Sequence, residues 1–247
     1  MHRFFIPPES FSSSEVTFPP EQARQIARVL RLKPGAQVWA LDGRGMEARV
    51  ELTQVEASQV RGQIMAQQPA LGEPRVELSM YLCLTQREKF EWMLQKCTEV
   101  GAGSFVPVIS SRSLVQSAAE TEHKRERWER ILQEAAEQCG RGKIPQLQVT
   151  LNLKQALEAA QQSGARCILP WEEERSCSLQ QALGGEKPAR VALLIGPEGG
   201  FSEEEAAAAV DAGFQLATLG RRILRAETAA VVAAALTLYE LGEMGCN

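Results

Sequence analysis

Short segments that are apolar along almost their whole length alternate with amphipathic segments through the C-terminal two thirds of this chain. Residues 76–84 place apolar side chains at every second position, as strands do, and residues 90–100 then repeat them at helical spacing. Strands that are apolar throughout are buried on both faces, as in a parallel sheet covered by helices. The sequence therefore predicts an α/β fold with a mostly parallel sheet. Its later strands are predicted at residues 166–169, 191–195 and 214–219.

Other signals mark where two helices begin and how the last helix packs. Asn152 with Gln155, and Ser202 with Glu205, have the spacing of a capping box at a helix start. The final helix, predicted over residues 226–241, is rich in alanine and leucine. Small residues let helices approach closely, so this helix is either the interface of a symmetric dimer or is buried within the monomer.

The first 70 residues have a different pattern, in which short strands are separated by turns rich in proline and glycine. Asp42-Gly43 is a favoured hairpin turn, and residues 46–52 then alternate apolar and charged side chains, so that Met46 is predicted to face the core. Residues 66–74 contain two prolines and a glycine and are interpreted as a linker. We therefore expect two domains: a small β-barrel over residues 1–70 and the α/β domain over residues 75–247.

Composition excludes several classes of protein. No apolar run approaches the roughly 18–20 residues of a membrane span, and the N-terminus lacks the pattern of an export signal, so we expect a cytoplasmic protein. Only two histidines occur, and no two of the six cysteines lie within four residues of each other, which argues against a metal site. The cysteines are expected to pack as small buried side chains. With a net charge of −4, any contact with nucleic acid depends on local basic patches.

One loop has the composition of a ligand site. A buried strand ends at Ile195 and is followed by Gly-Pro-Glu-Gly-Gly, here called the glycine loop (residues 196–200), before the capped helix begins. In open α/β sheets ligands bind at the carboxyl ends of strands, and glycines let backbone groups approach a ligand closely. A connection without any ligand is the alternative interpretation. The candidate binding residues here are Leu194, Ile195, Gly196, Glu198, Gly199 and Gly200.

A second loop follows the next strand and carries three arginines, Arg221, Arg222 and Arg225, at the start of the last helix. Two such loops at one edge of a sheet form a pocket for a small molecule, and arginines there suit a phosphate or an anionic base. An enzyme that uses the glycine loop for phosphate is a weaker interpretation, because the loop lacks the lysine of a P-loop.

These and other motifs, in order along the chain, resemble those of a known family. The chain resembles the RsmE-type 16S rRNA uracil-N3-methyltransferases of the SPOUT superfamily, and the resemblance runs from end to end. The motifs that carry it are residues 1–5, residues 27–35, residues 91–101, Glu137-Gln138-Cys139 with Arg141 and Pro145, and the two loops described above.

The resemblance implies a fold, a cofactor and partners. The N-terminal domain would be a PUA-like β-barrel that helps to hold RNA, and the C-terminal domain would carry a deep trefoil knot, a rare exception to the rule against threaded chains. S-adenosylmethionine would lie against three loops of a homodimeric enzyme that acts on 16S rRNA or on the assembled small ribosomal subunit. The implied cofactor-binding residues are Leu169, Pro170, Leu194, Ile195, Gly196, Glu198, Gly199, Gly200, Leu219, Gly220, Ile223, Leu224, Arg225 and Thr228.

The chemistry of this transfer points to catalytic and RNA-binding candidates. Uracil N3 must lose its proton, so Arg225 is the first candidate to stabilise the developing anion, with Arg3 or Arg112 as the second. Glu227 is a candidate proton acceptor. The alternative for Glu227 is an acidic residue in the first turn of the last helix. Residues 123–143 carry many basic residues interleaved with acids, which also fits a salt-bridged helix surface. The RNA-binding candidates are Arg3, Arg28, Arg31, Arg112, Arg141 and Arg221.

Two further functions remain open at this point. The chain is a non-catalytic RNA-binding or ribosome-assembly factor if it keeps the fold but binds no cofactor. It is a methyltransferase for another RNA position if the N-terminal motifs do not select uracil N3, since other SPOUT enzymes methylate a ribose 2′-OH or guanine N1.

Overall fold

The computed structural model describes residues 1–245, which fall into two compact units. The N-terminal unit comprises Met1–Glu73 and Gln133–Ile144, and the C-terminal unit comprises Pro74–Leu132 and the chain from Pro145 onward. The division after Glu73 lies close to the expected boundary. The segment Gln133–Ile144, which we expected in the second domain, groups with the first instead.

Apolar burial explains why this segment belongs to the N-terminal unit. Ala136 is fully buried in a small cluster with Phe5 and Leu41. The backbone N–H of Phe5 also donates to the carboxylate of Glu137 at 3.0 Å. Burial raises the pKa of Glu137 above its usual value, although the hydrogen bond from Phe5 opposes that shift.

The N-terminal unit is built on a five-stranded mixed sheet. Its strands are β1 (Arg3–Phe5), β2 (Glu15–Phe18), β3 (Gln37–Leu41), β4 (Met46–Val55) and β5 (Val60–Pro69), with α1 (Pro20–Arg24) continuing into a π-helical turn, Gln25–Val29. The strand order is β1-β3-β4-β5-β2, and only the β1–β3 pair is parallel. Within residues 1–245, β1 and β2 end this ladder and are not paired with each other, so the predicted barrel is not closed by hydrogen bonds.

Two expectations for β4 and β5 are corrected. Residues 66–69 lie at the end of β5 and pair with β4, so the predicted linker is shorter than its composition indicated. Met46 is 43% exposed whereas Glu47 is 4% exposed, the reverse of the predicted alternation. Ala48, Val50 and Leu52 are buried as predicted, so the departure is confined to the first two residues of β4. There the buried carboxylate of Glu47 accepts hydrogen bonds from the side chains of Arg3 and Gln68.

The C-terminal unit contains a seven-stranded parallel sheet, which confirms the predicted α/β class. Its strands are β6 (Glu77–Cys83), β7 (Ser104–Ile109), β8 (Gln146–Leu147), β9 (Leu151–Asn152), β10 (Arg166–Pro170), β11 (Arg190–Ile195) and β12 (Gln215–Ala217). The strand order is β12-β10-β11-β6-β7-β8, with β9 also paired to β7. Every pair is parallel.

Helices cover both faces of this sheet. They are α2 (Arg87–Val100), α3 (Ala119–Glu122), α4 (Arg125–Cys139), α5 (Leu153–Gln162), α6 (Leu179–Leu183), α7 (Glu203–Asp211) and α8 (Ala226–Glu240). Along β6, Met80 packs in one buried cluster with residues of α2 and α8, whereas Tyr81 packs in a second cluster with residues of α5 and α7. Burial on both faces explains why these strands are apolar throughout.

The starts of α5 and α7 agree with the sequence signals, whereas α8, for which no cap was predicted, has no side-chain cap. Both predicted capping boxes, at Asn152 and Ser202, are present, and α6 has a third at Ser178. The residue before α8 is Arg225, whose side chain makes no capping hydrogen bond. Along α8 four of the six alanines are buried within the monomer, while Leu236 and Tyr239 are exposed.

Five of the six cysteines lie among the described residues. Cys83, Cys97 and Cys167 are buried, Cys139 and Cys177 are half-buried, and Cys246 lies outside the described residues. Within residues 1–245, no group of three or more His, Cys, Asp or Glu side chains is placed to hold a metal ion. In the same part of the chain, no helix has both the length and the hydropathy needed to cross a bilayer.

Candidate functional site

Three loops meet at one edge of the parallel sheet. They follow β10, β11 and β12, which are neighbours in the sheet, and the carboxyl ends of neighbouring parallel strands lie at the same edge. The first loop continues from Pro170, the second is the glycine loop, and the third runs from Thr218 to Arg225. The sequence predicted the second and third of these loops in full, and only the start of the first.

Two adjoining cavities open between these loops. The larger, of about 520 Å³, lies between the first and third loops, and the smaller, of about 270 Å³, lies against the glycine loop. Both volumes are of the order found for sites that bind small molecules and cofactors. The two cavities share five residues: Pro170, Glu172, Ile223, Leu224 and Ala229.

Most of the implied cofactor-binding residues line one of these cavities. Those that do are Pro170, Ile195, Gly196, Glu198, Gly200, Leu219, Gly220, Ile223, Leu224 and Arg225. Leu169 and Leu194 are instead buried within their strands. Gly199 and Thr228 are exposed, and neither lines either cavity.

Two positions in the glycine loop require glycine for different reasons. A Cβ atom at Gly196 would lie 3.1 Å from the ring of Phe201, which packs beneath the loop. Gly200 has a φ of +65°, which disfavours any other residue, and a Cβ there would collide with the carboxylate of Glu172. At these two positions the backbone itself therefore lines the smaller cavity.

Glu198 is the one carboxylate of the glycine loop, and other parts of the C-terminal unit already bind it. Its Oε1 atom accepts hydrogen bonds from the backbone N–H of Gln86 and from the ammonium of Lys89, each at 3.2 Å. Burial by itself would raise the pKa of Glu198, but hydrogen bonds from backbone N–H groups and from Lys89 outweigh it, and the net pKa is lowered. Glu198 is therefore a charged anchor of the loop, fixed before any ligand binds.

The first loop contributes side chains that the sequence motifs missed. Glu172 lines both cavities, and within the described residues it has neither an ion pair nor a hydrogen bond. Glu174 instead accepts hydrogen bonds from the Ser176 hydroxyl and from two backbone N–H groups, which lower its pKa to about 2. The sequence contained one signal for these side chains, which is their position: the loop begins directly after Pro170, at the carboxyl end of a strand.

The third loop brings Arg225 to the smaller cavity and keeps Glu227 out of both. The side chain of Arg225 is exposed and lines the smaller cavity. Glu227 lies in the first turn of α8, where its Oε2 atom is buried without a hydrogen-bond partner. Arg221 and Arg222 are exposed and line the larger cavity. The loop therefore places cationic side chains beside both cavities.

Comparisons with known proteins place this site in a family. The family model described as RNA methyltransferase domain matches residues 72–238, and the one described as RNA methyltransferase PUA domain matches residues 18–65. Ribosomal RNA small subunit methyltransferase E of Synechocystis is 33% identical over 235 residues, which cover 95% of this chain and 76% of the relative. The chain belongs to this family. The Bacillus subtilis member is 32% identical over 226 residues, covering 89% of this chain and 88% of the relative.

Solved structures of family members agree with this assignment. A ribosomal RNA small subunit methyltransferase E from Neisseria gonorrhoeae, bound to S-adenosyl methionine, superposes with a TM-score of 0.86 at 30% identity and covers 97% of each chain. A methyltransferase from Legionella pneumophila, in complex with bound cofactor SAM, superposes with a TM-score of 0.84 at 30% identity and covers 96% of each chain. The resemblance found in the sequence motifs is confirmed.

The arginines of this chain that are predicted to contact RNA have different environments. Arg28 and Arg31 are exposed, and Arg31 has a φ of +52°. Arg3 donates to the buried carboxylate of Glu47 at 2.5 Å and lies over the ring of Trp39. These environments leave Arg28 and Arg31 open to a phosphate, whereas Arg3 already has a partner.

Arg141, a predicted RNA contact, is buried and paired with a carboxylate in the structure. Its side chain is 4% exposed, and its guanidinium makes two hydrogen bonds to the carboxylate of Glu73, at 2.8 and 3.3 Å. The carboxylate of Glu73 also accepts the backbone N–H groups of Gly142 and Lys143 at 3.0 Å each. A guanidinium buried in this way is engaged within the protein, and no local pattern in the sequence predicts its burial.

The first half of α4 fits the salt-bridged alternative. Arg125 pairs with Glu129 at 2.9 Å, and Arg130 pairs with Glu126 at 3.4 Å, each one helical turn away. Arg127 pairs with Glu91 of α2 at 2.6 Å. The alternating charges of this segment therefore have a structural explanation that does not involve RNA.

Proposed function

We propose that this chain transfers the methyl group of S-adenosylmethionine to N3 of a specific uridine in the 16S rRNA of the small ribosomal subunit. The observation that carries the proposal is the pair of joined cavities at three adjacent carboxyl strand ends, in a chain that belongs to an rRNA methyltransferase family. The N-terminal unit, which matches the PUA domain of RNA methyltransferases, supports an RNA substrate.

The residues around the cavities suit this cofactor. Ile195, Ile223 and Leu224 offer apolar walls for an adenine ring, and the glycine loop exposes backbone groups for its polar edge. Glu172, whose carboxylate has no partner among residues 1–245, is available to a ligand that carries a sulfonium and an ammonium group. Arg221 and Arg222 offer cationic partners for a carboxylate or phosphate in the larger cavity. The sequence motifs implied these residues for the cofactor, apart from Glu172, Arg221 and Arg222, and Arg221 was predicted to contact RNA.

When bound, the cofactor supplies an electrophilic methyl group on a positively charged sulfur. The remaining task of the chain is to remove the proton from uracil N3 and to stabilise the negative charge that spreads over N3, O2 and O4. The guanidinium of Arg225, at the smaller cavity, donates hydrogen bonds to that charge, and preorganised donors of this kind contribute strongly to catalysis.

Glu227 is the proposed proton acceptor. Its Oε2 atom is buried and has no donor, so its lone pairs remain available for a proton. The side chain follows Arg225 by two residues at the uncapped start of α8. Because Glu227 does not line either cavity, this role requires that the side chain turn toward the substrate. The alternative role of Glu227 is that of an acidic residue that stabilises the first turn of α8.

The finer architecture is proposed with the activity. The C-terminal unit is proposed to carry the deep trefoil knot of the SPOUT superfamily and to act as a homodimer in the cytoplasm. Support for the dimer comes from Leu236 and Tyr239 on α8 and Trp92 on α2, which are exposed apolar or aromatic residues on two helices that pack together.

The test is cofactor binding followed by methyl transfer. We expect saturable binding of S-adenosylmethionine in calorimetry, and one methyl group at a uridine N3 when small ribosomal subunits lacking that modification are used as substrate and mapped by mass spectrometry. A methyl group at another atom would support a different RNA target. Cofactor binding without transfer to any rRNA would contradict the proposal, and no binding at all would favour the non-catalytic RNA-binding factor.

A further inference from the structure

We propose that Arg112 is a positioning residue, which holds the glycine loop in its cofactor-binding conformation, and is not an RNA contact. The inference rests on the proposed function, because it assigns a role within the cofactor site. The sequence interpretation named this arginine as a candidate RNA contact and as a second candidate to stabilise the uracil anion.

Arg112 contacts the glycine loop directly. Its Nη1 atom donates a hydrogen bond to the carbonyl oxygen of Gly199 at 2.7 Å. The side chain also lies along the same residue, because a Cβ atom at Gly199 would be 3.3 Å from both the Cβ and the Cδ of Arg112. The arginine therefore fixes the Gly199–Gly200 peptide plane by a charged hydrogen bond and by packing.

A second contact joins the same two segments. The backbone N–H of Ser111 donates to Oε1 of Glu205 at 2.8 Å. The Oε2 atom of Glu205 accepts the backbone N–H of Ser202 at 3.0 Å, as part of the capping box of α7. Residues 110–113, here called the brace, are thus tied to the glycine loop and to the helix that follows it.

The brace is itself held rigidly. Ser110 and Ser113 are buried, and the backbone N–H of Ser110 donates to the hydroxyl of Ser113 at 3.0 Å. The side-chain amide of Gln116 donates to the carbonyl oxygen of Ser110 at 3.2 Å. A buried, hydrogen-bonded turn is a fixed support from which Arg112 reaches the loop.

The glycine loop needs such a support. Three of its five residues are glycine, which loses more conformational freedom on ordering than any other residue. Gly196, Glu198 and Gly200 line the smaller cavity, so an unsupported loop would have to be ordered at the expense of binding energy. A loop that is ordered beforehand binds its ligand more tightly, because less entropy is lost.

The charge of Arg112 is also balanced within the chain. Glu204, in the first turn of α7, has a lowered pKa because the Ser202 hydroxyl donates to it and the guanidinium of Arg112 attracts its charge. An arginine that bonds a carbonyl and faces a carboxylate contributes less net positive potential to a phosphate backbone than a solvated arginine does.

The test compares Arg112→Met, Arg112→Lys and a control, Arg190→Met. Arg190 is a comparable exposed arginine that pairs with Glu77 at the amino end of β11, away from the loops. For Arg112→Met we expect the Kd for S-adenosylmethionine and the corresponding KM to rise about threefold to tenfold, because one charged hydrogen bond is lost. The kcat should change little. Arg112→Lys should recover part of this loss, and Arg190→Met should bind as the wild type does.

Two further measurements separate positioning from RNA contact. In the cofactor-free protein, the backbone amides of residues 196–202 should exchange with deuterium faster in Arg112→Met than in the wild type. The dependence of rRNA affinity on salt should be unchanged, whereas loss of a phosphate contact would lower its logarithmic slope by about one.

An unchanged Kd for S-adenosylmethionine in Arg112→Met would overturn the positioning role while leaving the proposed function intact, provided that the wild type binds and transfers methyl. The wild type is therefore measured first. Its failure to bind the cofactor would overturn both proposals together.

Discussion

The ammonium of Lys89 lies 3.2 Å from Oε1 of Glu198, so the first helix after β6 is tied to the glycine loop after β11. The two strands are hydrogen-bonded neighbours, and the backbone N–H of Gln86 reaches the same carboxylate oxygen. Together with Arg112 after β7, these contacts fix the glycine loop from the segments that follow β6 and β7 at the carboxyl edge of the sheet.

Lys89→Gln should weaken cofactor binding modestly and raise the pKa of Glu198. The Lys89–Glu198 pair is partly exposed, so we expect the Kd for S-adenosylmethionine to rise at most about fivefold. Because the folded pKa of Glu198 is lowered, its stabilising contribution is complete above the usual glutamate value of 4.5 and is lost as pH falls through the folded value. Calorimetry and an NMR titration of Glu198 check both effects, with Lys96→Gln, which breaks a pair within α2, as the control.

Arg225→Ala should lower the rate of methyl transfer far more than cofactor affinity. Removal of one preorganised donor to a developing anion typically costs about a hundredfold in rate. We expect a fall of this order in the single-turnover rate with saturating cofactor, and less than about a threefold change in Kd. Arg190→Ala serves as the control for loss of an exposed arginine. A single-turnover rate equal to that of the wild type would remove Arg225 from the mechanism.

Glu172→Gln should weaken the binding of S-adenosylmethionine more than that of S-adenosylhomocysteine. The substitution keeps the size of the side chain but removes its charge, and the two ligands differ in the sulfonium charge. We expect about a threefold to tenfold rise in Kd for the methyl donor and a smaller change for the product. Calorimetry with both ligands measures this, and Glu186→Gln is the matched control on an exposed loop. Equal changes for both ligands would place Glu172 away from the sulfur.

Arg141→Met should destabilise the protein without affecting RNA binding. The variant leaves the carboxylate of Glu73, which is 17% exposed, without its cationic partner, and loss of one member of a buried pair costs about 3 kcal/mol. Urea unfolding should report this loss of stability, whereas Arg44→Met, at an exposed turn, should unfold as the wild type does. If the salt dependence of rRNA affinity also changed in Arg141→Met, the buried guanidinium would have a role in RNA binding after all.

Tyr239→Asp and Leu236→Asp should convert a dimer to a monomer. Both side chains are exposed on α8, and a charge placed in an apolar interface is costly to bury. Sedimentation velocity at micromolar protein concentration should show a dimer for the wild type and a smaller species for the variants. Val210→Asp, at an exposed position of α7, should remain dimeric. A wild type that sediments only as a monomer would exclude this interface.

Local patterns in the sequence predicted much of the fold. The strands of the parallel sheet, the capping boxes at Asn152 and Ser202, and the loops after β11 and β12 all follow from residues close together in the chain. Side-chain periodicity and helix caps are local properties, so a single sequence contains them. The family resemblance rested on the same short segments.

Where prediction failed, contacts between distant residues decided the outcome. Glu47 is buried with its carboxylate bonded to Arg3 and Gln68, and pairing with β4 extended β5 into the predicted linker. Arg141 is buried because Glu73 lies beside it, 68 positions earlier in the chain. None of these partners is near in sequence, so no local pattern marks them.

The same division runs through the candidate site. By itself the sequence determined which loops carry the glycines and arginines, because composition and strand order place them at carboxyl strand ends. Only the tertiary structure decided which side chains are engaged. Glu198 binds Lys89 and Arg112 binds Gly199, whereas Glu172 has no hydrogen bond or ion pair among the described residues. The type of a side chain follows from the sequence, whereas its partner depends on the order of the strands in the folded sheet.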